Sequence, residues 1–121
     1  MPSEQTRQIM KDYFTAMGSG QFDQFFTDDV TWTTVENNAV VQGRTEVQDY
    51  ILKLHTGMSD MQTRQLVIAD ENAYIEGSCA SITGQGERIL YCVGYDLDGT
   101  RIVAMRAYGA LAAFTSPDSA G

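Results

Sequence analysis

The fold is decided by the stretch DGTRIVAMRAYG, residues 98–109. Its Asp-Gly pair predicts a hairpin turn, because glycine takes a positive φ without steric cost. The residues after the turn are β-branched, small or aromatic, which favours a strand near the end of the chain. Alternate residues of a strand face opposite sides of its sheet. We therefore expect an inward side with Met105 and Ala107, and an outward side with Ile102, Ala104, Arg106 and Tyr108.

Upstream of this strand, the spacing of apolar residues predicts two helices, over residues 4–17 and 44–55. Each has one apolar face, which includes Tyr13 and Met17 in the first and Tyr50 and Leu54 in the second. Strand patterns occur over residues 30–35, 39–42, 62–70, 73–82 and 87–95. Helices that precede a run of strands favour an α+β fold. We expect a curved antiparallel sheet wrapped around the N-terminal helices, with a pocket at its open end.

The length of 121 residues suits one domain. We expect that domain to cover residues 1–114, and the small polar residues 115–121 to form a flexible tail. The net charge of −8, without a basic cluster, argues against nucleic acid as a partner. No stretch approaches the roughly 20 apolar residues of a membrane span, and no signal pattern precedes the first helix. We therefore expect a cytoplasmic protein that does not bind membranes.

The chain has two cysteines and one histidine. They form neither a Cys-x-x-Cys motif nor a His/Cys cluster, so we expect no metal site. Cys79 and Cys92 are expected to be free thiols, because disulfides are rare in the cytoplasm.

Four pieces of the sequence together resemble the steroid Δ-isomerases and their SnoaL-like or NTF2-like relatives. They are YFTAM (residues 13–17) before a glycine-rich break, FTDDVTW (residues 26–32), Gly43-Arg44 before a helix with Tyr50, and the closing strand. The resemblance covers most of the chain. It implies a cone-like sheet, an internal pocket, acid/base chemistry without a cofactor, and a homodimer formed through the outer face of the sheet.

The resemblance also suggests catalytic residues. Tyr13 matches the tyrosine that, in the isomerases, shares an oxyanion hole with a protonated aspartate. The position of the family's base holds Thr34, and the region of the second aspartate, residues 91–94, contains none. Tyr91 is the candidate second donor. For the base, Glu36 and His55 are both open, beside ordinary roles as a turn residue and a helix-end residue.

Large side chains are expected on one wall of the pocket and small ones on the other. The candidate ligand-binding residues are Met17, Trp32, Thr34, Tyr50, Leu54, Gly77, Cys79, Met105 and Ala107. Plain packing would explain the same pattern. A cavity of this kind would take a mostly apolar ligand with one or two oxygens, such as a steroid-, polyketide- or terpenoid-like molecule.

Three functions follow from these expectations. The first is an enzyme of the isomerase, cyclase or hydratase kind. The second is a protein that binds the same ligand without turnover. The third is a dimerising interaction module with no ligand.

Overall fold

The computed structural model describes residues 2–81 and 88–109. Its elements are helix α1 (Pro2–Met17), a 3₁₀ turn (Asp23–Phe25), strands β1 (Phe26–Thr34) and β2 (Ala39–Gln42), helix α2 (Arg44–His55), and strands β3 (Met58–Ala69), β4 (Asn72–Ser81), β5 (Arg88–Asp98) and β6 (Arg101–Gly109). Both predicted helices and the α+β class are confirmed. The predicted tail, residues 115–121, lies outside the described residues.

The six strands form one curved, unclosed sheet in the order β2-β1-β6-β5-β4-β3. Four neighbouring pairs are antiparallel, and β1 and β6 run parallel. Strands β1 and β6 are far apart along the chain, with α2 and four strands between them, so no hairpin forces this pair to be antiparallel. The sheet therefore has β2 and β3 at its two edges.

Both helices pack on the concave face of the sheet. Helix α1 buries Ile9, Met10 and Tyr13 and contacts β3 and β4, whereas α2 buries Val47, Ile51 and Leu54 and lies over β1 and β2. The side chain of Gln48 fixes α2 further, since its Oε1 accepts hydrogen bonds from the backbone N–H groups of Phe22 (2.8 Å) and Asp23 (2.9 Å).

The turn into β6 forms as the sequence predicts, with Gly99 at φ +64°. Met105 and Ala107 are buried and Tyr108 is exposed, which confirms the predicted sides of that part of the strand. The predicted outward position of Ile102 is wrong, because this side chain is fully buried. The pairing of β5 with β6 shifts here, since Asp96 pairs with Ala104 but Leu97 pairs with Ile102. Val103 is therefore an extra residue of β6, and such a bulge puts Ile102 on the same side as Met105.

Two features are absent from residues 2–81 and 88–109. No helix there is long and apolar enough to cross a membrane, and no group of three or more His, Cys, Asp or Glu side chains is placed to hold a metal ion. Cys79 is buried and Cys92 half-buried, and both are free thiols.

Candidate functional site

A cavity of about 320 Å³ lies between the two helices and the concave face of β3, β4 and β5. That volume is at the small end of the range for ligand pockets. The exposed Met61 and Thr63 of β3 mark its open side. The lining residues are Tyr13, Phe14, Met17, Trp32, Ile51, His55, Met58, Met61, Thr63, Leu66, Ile75, Tyr91, Val93 and Tyr95.

Five of the predicted site residues meet in this cavity: Tyr13, Met17, Trp32, His55 and Tyr91. They come from α1, β1, α2 and β5, so the fold brings together side chains that are far apart in sequence. The other eight predicted residues are not among its lining. They are Thr34, Glu36, Tyr50, Leu54, Gly77, Cys79, Met105 and Ala107.

The eight residues miss the cavity for different reasons. Leu54, Cys79, Met105 and Ala107 do face inward, but packed side chains cover them completely or nearly so. Glu36 is exposed in the turn between β1 and β2.

Gly77 acts on the cavity indirectly. A Cβ at this position would lie 2.5 Å from the carbonyl oxygen of Gln62 and 2.9 Å from the hydroxyl of Tyr91. The glycine therefore leaves the space that the end of the Tyr91 side chain occupies.

Nine lining residues were not predicted: Phe14, Ile51, Met58, Met61, Thr63, Leu66, Ile75, Val93 and Tyr95. Val93 and Tyr95 follow Tyr91 at strand spacing, so simple alternation along β5 would have found them. Strand β3 carries no such signal. Its pairing with β4 shifts twice, between Ser59 and Gln62 and between Thr63 and Gln65, and the alternation of sides is lost there.

Tyr13 stands where the cavity meets a cluster of aromatic rings. Its ring centroid is 5.5–6.1 Å from those of Phe14, Phe22, Phe25, Phe26 and Tyr95. Its hydroxyl points to the sulfur of Met105 at 3.8 Å, a weak acceptor. Burial raises the pKa of Tyr13 well above its usual range, so this phenol stays protonated and can serve only as a hydrogen-bond donor or neutral acceptor.

Tyr91 and Tyr95 add two further phenols on the inward side of β5, with Val93 between them. Burial is the main cause of the raised pKa of each hydroxyl. Neither hydroxyl has a hydrogen-bond partner within residues 2–81 and 88–109. Within the described part of the chain, both hydroxyls are therefore unpaired hydrogen-bonding groups on residues that line the cavity.

Trp32 supplies a buried hydrogen-bond donor. The side chain is 5% exposed, and its Nε1 is buried without an acceptor in the described part of the chain. An indole N–H can only donate, and leaving a buried donor unpaired costs about 1–3 kcal/mol. A ligand that presents an acceptor oxygen to this N–H would remove that penalty.

His55, the only histidine, ends α2 and lines the cavity. Burial lowers its pKa below the usual 6.5, so the imidazole is neutral at pH 7 and can accept a proton. None of the fourteen described lining residues is Asp, Glu, Lys or Arg. The cavity is thus an apolar space with one neutral base and several donors.

Comparison with known proteins matches residues 8–105 to the family model described as the SnoaL-like domain. No curated protein matches the sequence at a significant level. Among solved structures, an NTF2-like protein of unknown function from Cytophaga hutchinsonii has a TM-score of 0.68 at 22% identity, over 85% of this chain and 97% of that one.

Two other similar structures carry functional names. A protein from Kribbella flavida provisionally named a ketosteroid isomerase has a TM-score of 0.75 at 15% identity, over 89% of this chain and 79% of that one. A protein from Jannaschia provisionally named a SnoaL-like polyketide cyclase has a TM-score of 0.77 at 14% identity, over 98% and 94%. At such identities these likenesses establish the fold alone.

Proposed function

Since the chain belongs to the SnoaL-like domain family, whose fold presents an internal cavity here, we propose that it binds a mostly apolar, oxygen-bearing small molecule and moves a proton on it without a cofactor. The reaction class is that of an isomerase or cyclase. The ligand is a cyclic ketone or a related compound whose carbonyl oxygen accepts hydrogen bonds.

The unpaired N–H of Trp32 carries this proposal. The cavity is otherwise lined mainly by apolar side chains, which favour a hydrocarbon ligand. A buried donor without an acceptor selects, within such ligands, those with an oxygen at one position.

The neutral imidazole of His55 supports proton transfer. On a β,γ-unsaturated ketone, His55 would take the proton from the carbon between the carbonyl and the alkene, and the electron pair would move into a dienolate. The N–H of Trp32 and a tyrosine hydroxyl would stabilise the developing oxyanion. The protonated His55 would then return the proton to the γ carbon, which gives the conjugated ketone and restores the neutral base.

Binding is tested with a matched pair of probes, 2-decalone and decalin, which differ by the ketone oxygen. Calorimetric titration should show tighter binding of 2-decalone. Trp32→Phe keeps an aromatic ring and removes the N–H. This variant should bind 2-decalone roughly fivefold more weakly than the native chain and should bind decalin equally well. Equal binding of both probes to the native chain would contradict the proposed role of the donor.

Catalysis is tested with a β,γ-unsaturated cyclic ketone, whose conjugation is followed by ultraviolet absorbance. His55→Gln should lower the rate by about 10²–10⁴, with little change in the binding of 2-decalone. Glu36→Gln is the matched control, because Glu36 is exposed and outside the cavity lining. Loss of activity in the Glu36 variant alone would assign the base to that carboxylate.

A second candidate function is binding without turnover. The lack of a carboxylate among the described lining residues favours it, because His55 is the single candidate base among those residues. Tight binding of 2-decalone with no conjugation of the unsaturated ketone would support this function. If neither 2-decalone nor decalin binds, the result would favour the third function, a dimerising interaction module with no ligand.

A further inference from the structure

We infer that Tyr50 and Thr34, which lie outside the cavity lining, are positioning residues that set the direction of the Trp32 N–H. This inference rests on the proposed function in one respect, namely that Trp32 is the donor to the ligand. It assigns a role to two residues that the sequence had placed among the ligand contacts.

The three side chains form a connected set. Trp32 and Thr34 are alternate residues of β1, and both are buried on its inward side. The Tyr50 ring, from α2, lies with its centroid 5.7 Å from that of Trp32 at an interplanar angle of 52°. The Tyr50 hydroxyl lies 3.3 Å from Oγ1 of Thr34, so the far end of the ring is held by a hydrogen bond.

Trp32 depends on this support because the described residues offer its Nε1 no acceptor. Among the described residues the indole is therefore oriented by packing, and the Tyr50 ring is one of the groups against which it packs. A tyrosine that is fixed at its hydroxyl has less freedom to tilt than a phenylalanine at the same place. The Thr34–Tyr50 hydrogen bond therefore limits the rotation of the indole indirectly, through the Tyr50 ring.

The same hydrogen bond connects the donor with the candidate base. Tyr50 and His55 belong to α2, whereas Trp32 and Thr34 belong to β1. The contact between Tyr50 and Thr34 is one of those that place the helix on the strand, and it thereby contributes to the position of the base relative to the indole. Gln48 anchors α2 separately, on the 3₁₀ turn, so loss of the Tyr50 contact would not release the helix.

The experiment removes one oxygen at a time. Tyr50→Phe and Thr34→Val each keep the shape of the side chain and delete one side of the hydrogen bond. Thr33→Val is the matched control, because Thr33 is on the opposite side of β1 and only half-buried. Fluorescence reports Trp32 specifically, since it is the only tryptophan.

We expect both test variants to show increased acrylamide quenching of Trp32 fluorescence. Their affinity for 2-decalone should fall by roughly two- to fivefold, while their affinity for decalin should not change. The double variant should be no weaker than either single variant, because both delete the same interaction. Thr33→Val should match the native chain in every measurement.

Unchanged quenching in both test variants would overturn the inference, and so would additive losses of affinity in the double variant. The fluorescence result does not depend on any ligand. If Trp32→Phe fails to distinguish 2-decalone from decalin, the proposed function fails, while altered quenching in Tyr50→Phe still supports positioning.

Discussion

The concave face of the sheet is filled over β6 and most of β1 and hollow over β3, β4 and β5, with Trp32 of β1 at the border between the two sides. On the filled side Phe26, Ile102, Met105 and Ala107 have no exposed surface. On the hollow side Met61 is 48% exposed and the strands border a cavity of about 320 Å³. The contrast shows that an inward-facing side chain becomes part of a site only where the helices do not cover it, so inward direction alone does not identify ligand contacts.

The largest expected effect separates the two sides with the same substitution. Met105→Ala should lower the free energy of unfolding by about 2–5 kcal/mol, because it opens a void in close-packed surroundings. Met61→Ala should lower it by less than about 1 kcal/mol, since that side chain already borders open space. Denaturant unfolding measures both values, and equal losses would break the distinction between the filled and hollow sides.

Substitutions that enlarge a side chain should also distinguish the filled side from the hollow side. Ala107→Val forces extra methyl groups into the filled side and should cost about 1–3 kcal/mol. Val93→Ile extends a side chain into the cavity and should be nearly neutral for stability while weakening 2-decalone. If Val93→Ile destabilises as much as Ala107→Val, the cavity does not have room for a further methyl group.

His55, which lines the cavity, should contribute to the pH dependence of stability. Burial lowers the pKa of folded His55 below the unfolded value of 6.5, so the unfolded state binds more protons as pH falls below 6.5. The free energy of unfolding should therefore decrease from pH 7 downward, until the pH passes below the folded pKa. His55→Gln should remove this component. Thermal unfolding at a series of pH values would show it, and an unchanged profile in the variant would assign the dependence to other groups.

The smallest effect on stability is expected from the opposite face of the filled side. Tyr108 follows Ala107 but is exposed on the convex face, so Tyr108→Lys should change the free energy of unfolding by less than about 0.5 kcal/mol. A larger loss would mean that the filled side extends through the strand to that face.

The same variant tests association. Val67, Tyr74, Leu90 and Tyr108 are exposed large hydrophobic residues of the convex face, and Leu90 is 74% exposed. We propose that two copies of the chain pair through this face, which also carries Arg106, a residue type enriched in interfaces. Light scattering at micromolar concentration should give a dimer mass for the native chain and a reduced one for Tyr108→Lys. A native monomer would contradict the proposal.

The sequence allowed the fold to be predicted better than the site. Apolar spacing placed both helices within about two residues, because each has one face against the sheet. The predicted side of Ile102 was wrong because β6 has an extra residue, Val103, in its pairing with β5, and no sequence pattern marks that bulge. Met105 and Ala107 were wrongly expected to line the cavity. They face inward as predicted, but no pattern along a strand shows which part of it a helix will cover.

The candidate base shows the same limit. The sequence left Glu36 and His55 open, and only the three-dimensional arrangement places the imidazole in the cavity and the carboxylate in an exposed turn. The unpaired donor of Trp32 was also beyond prediction, since an indole gives no sequence signal of whether its N–H finds an acceptor.

Strand β3 gives the fold a capacity for change. It lies at the edge of the sheet, and within the described residues it pairs only with β4. That pairing shifts twice, at Met61 and next to Thr63, and both of these residues line the cavity together with Met58. Substitutions at these three positions would alter the shape of the cavity, yet they leave the close-packed residues under α1 and α2 in place. The shape of the cavity can therefore change with little loss of stability, since the two properties depend on different strands.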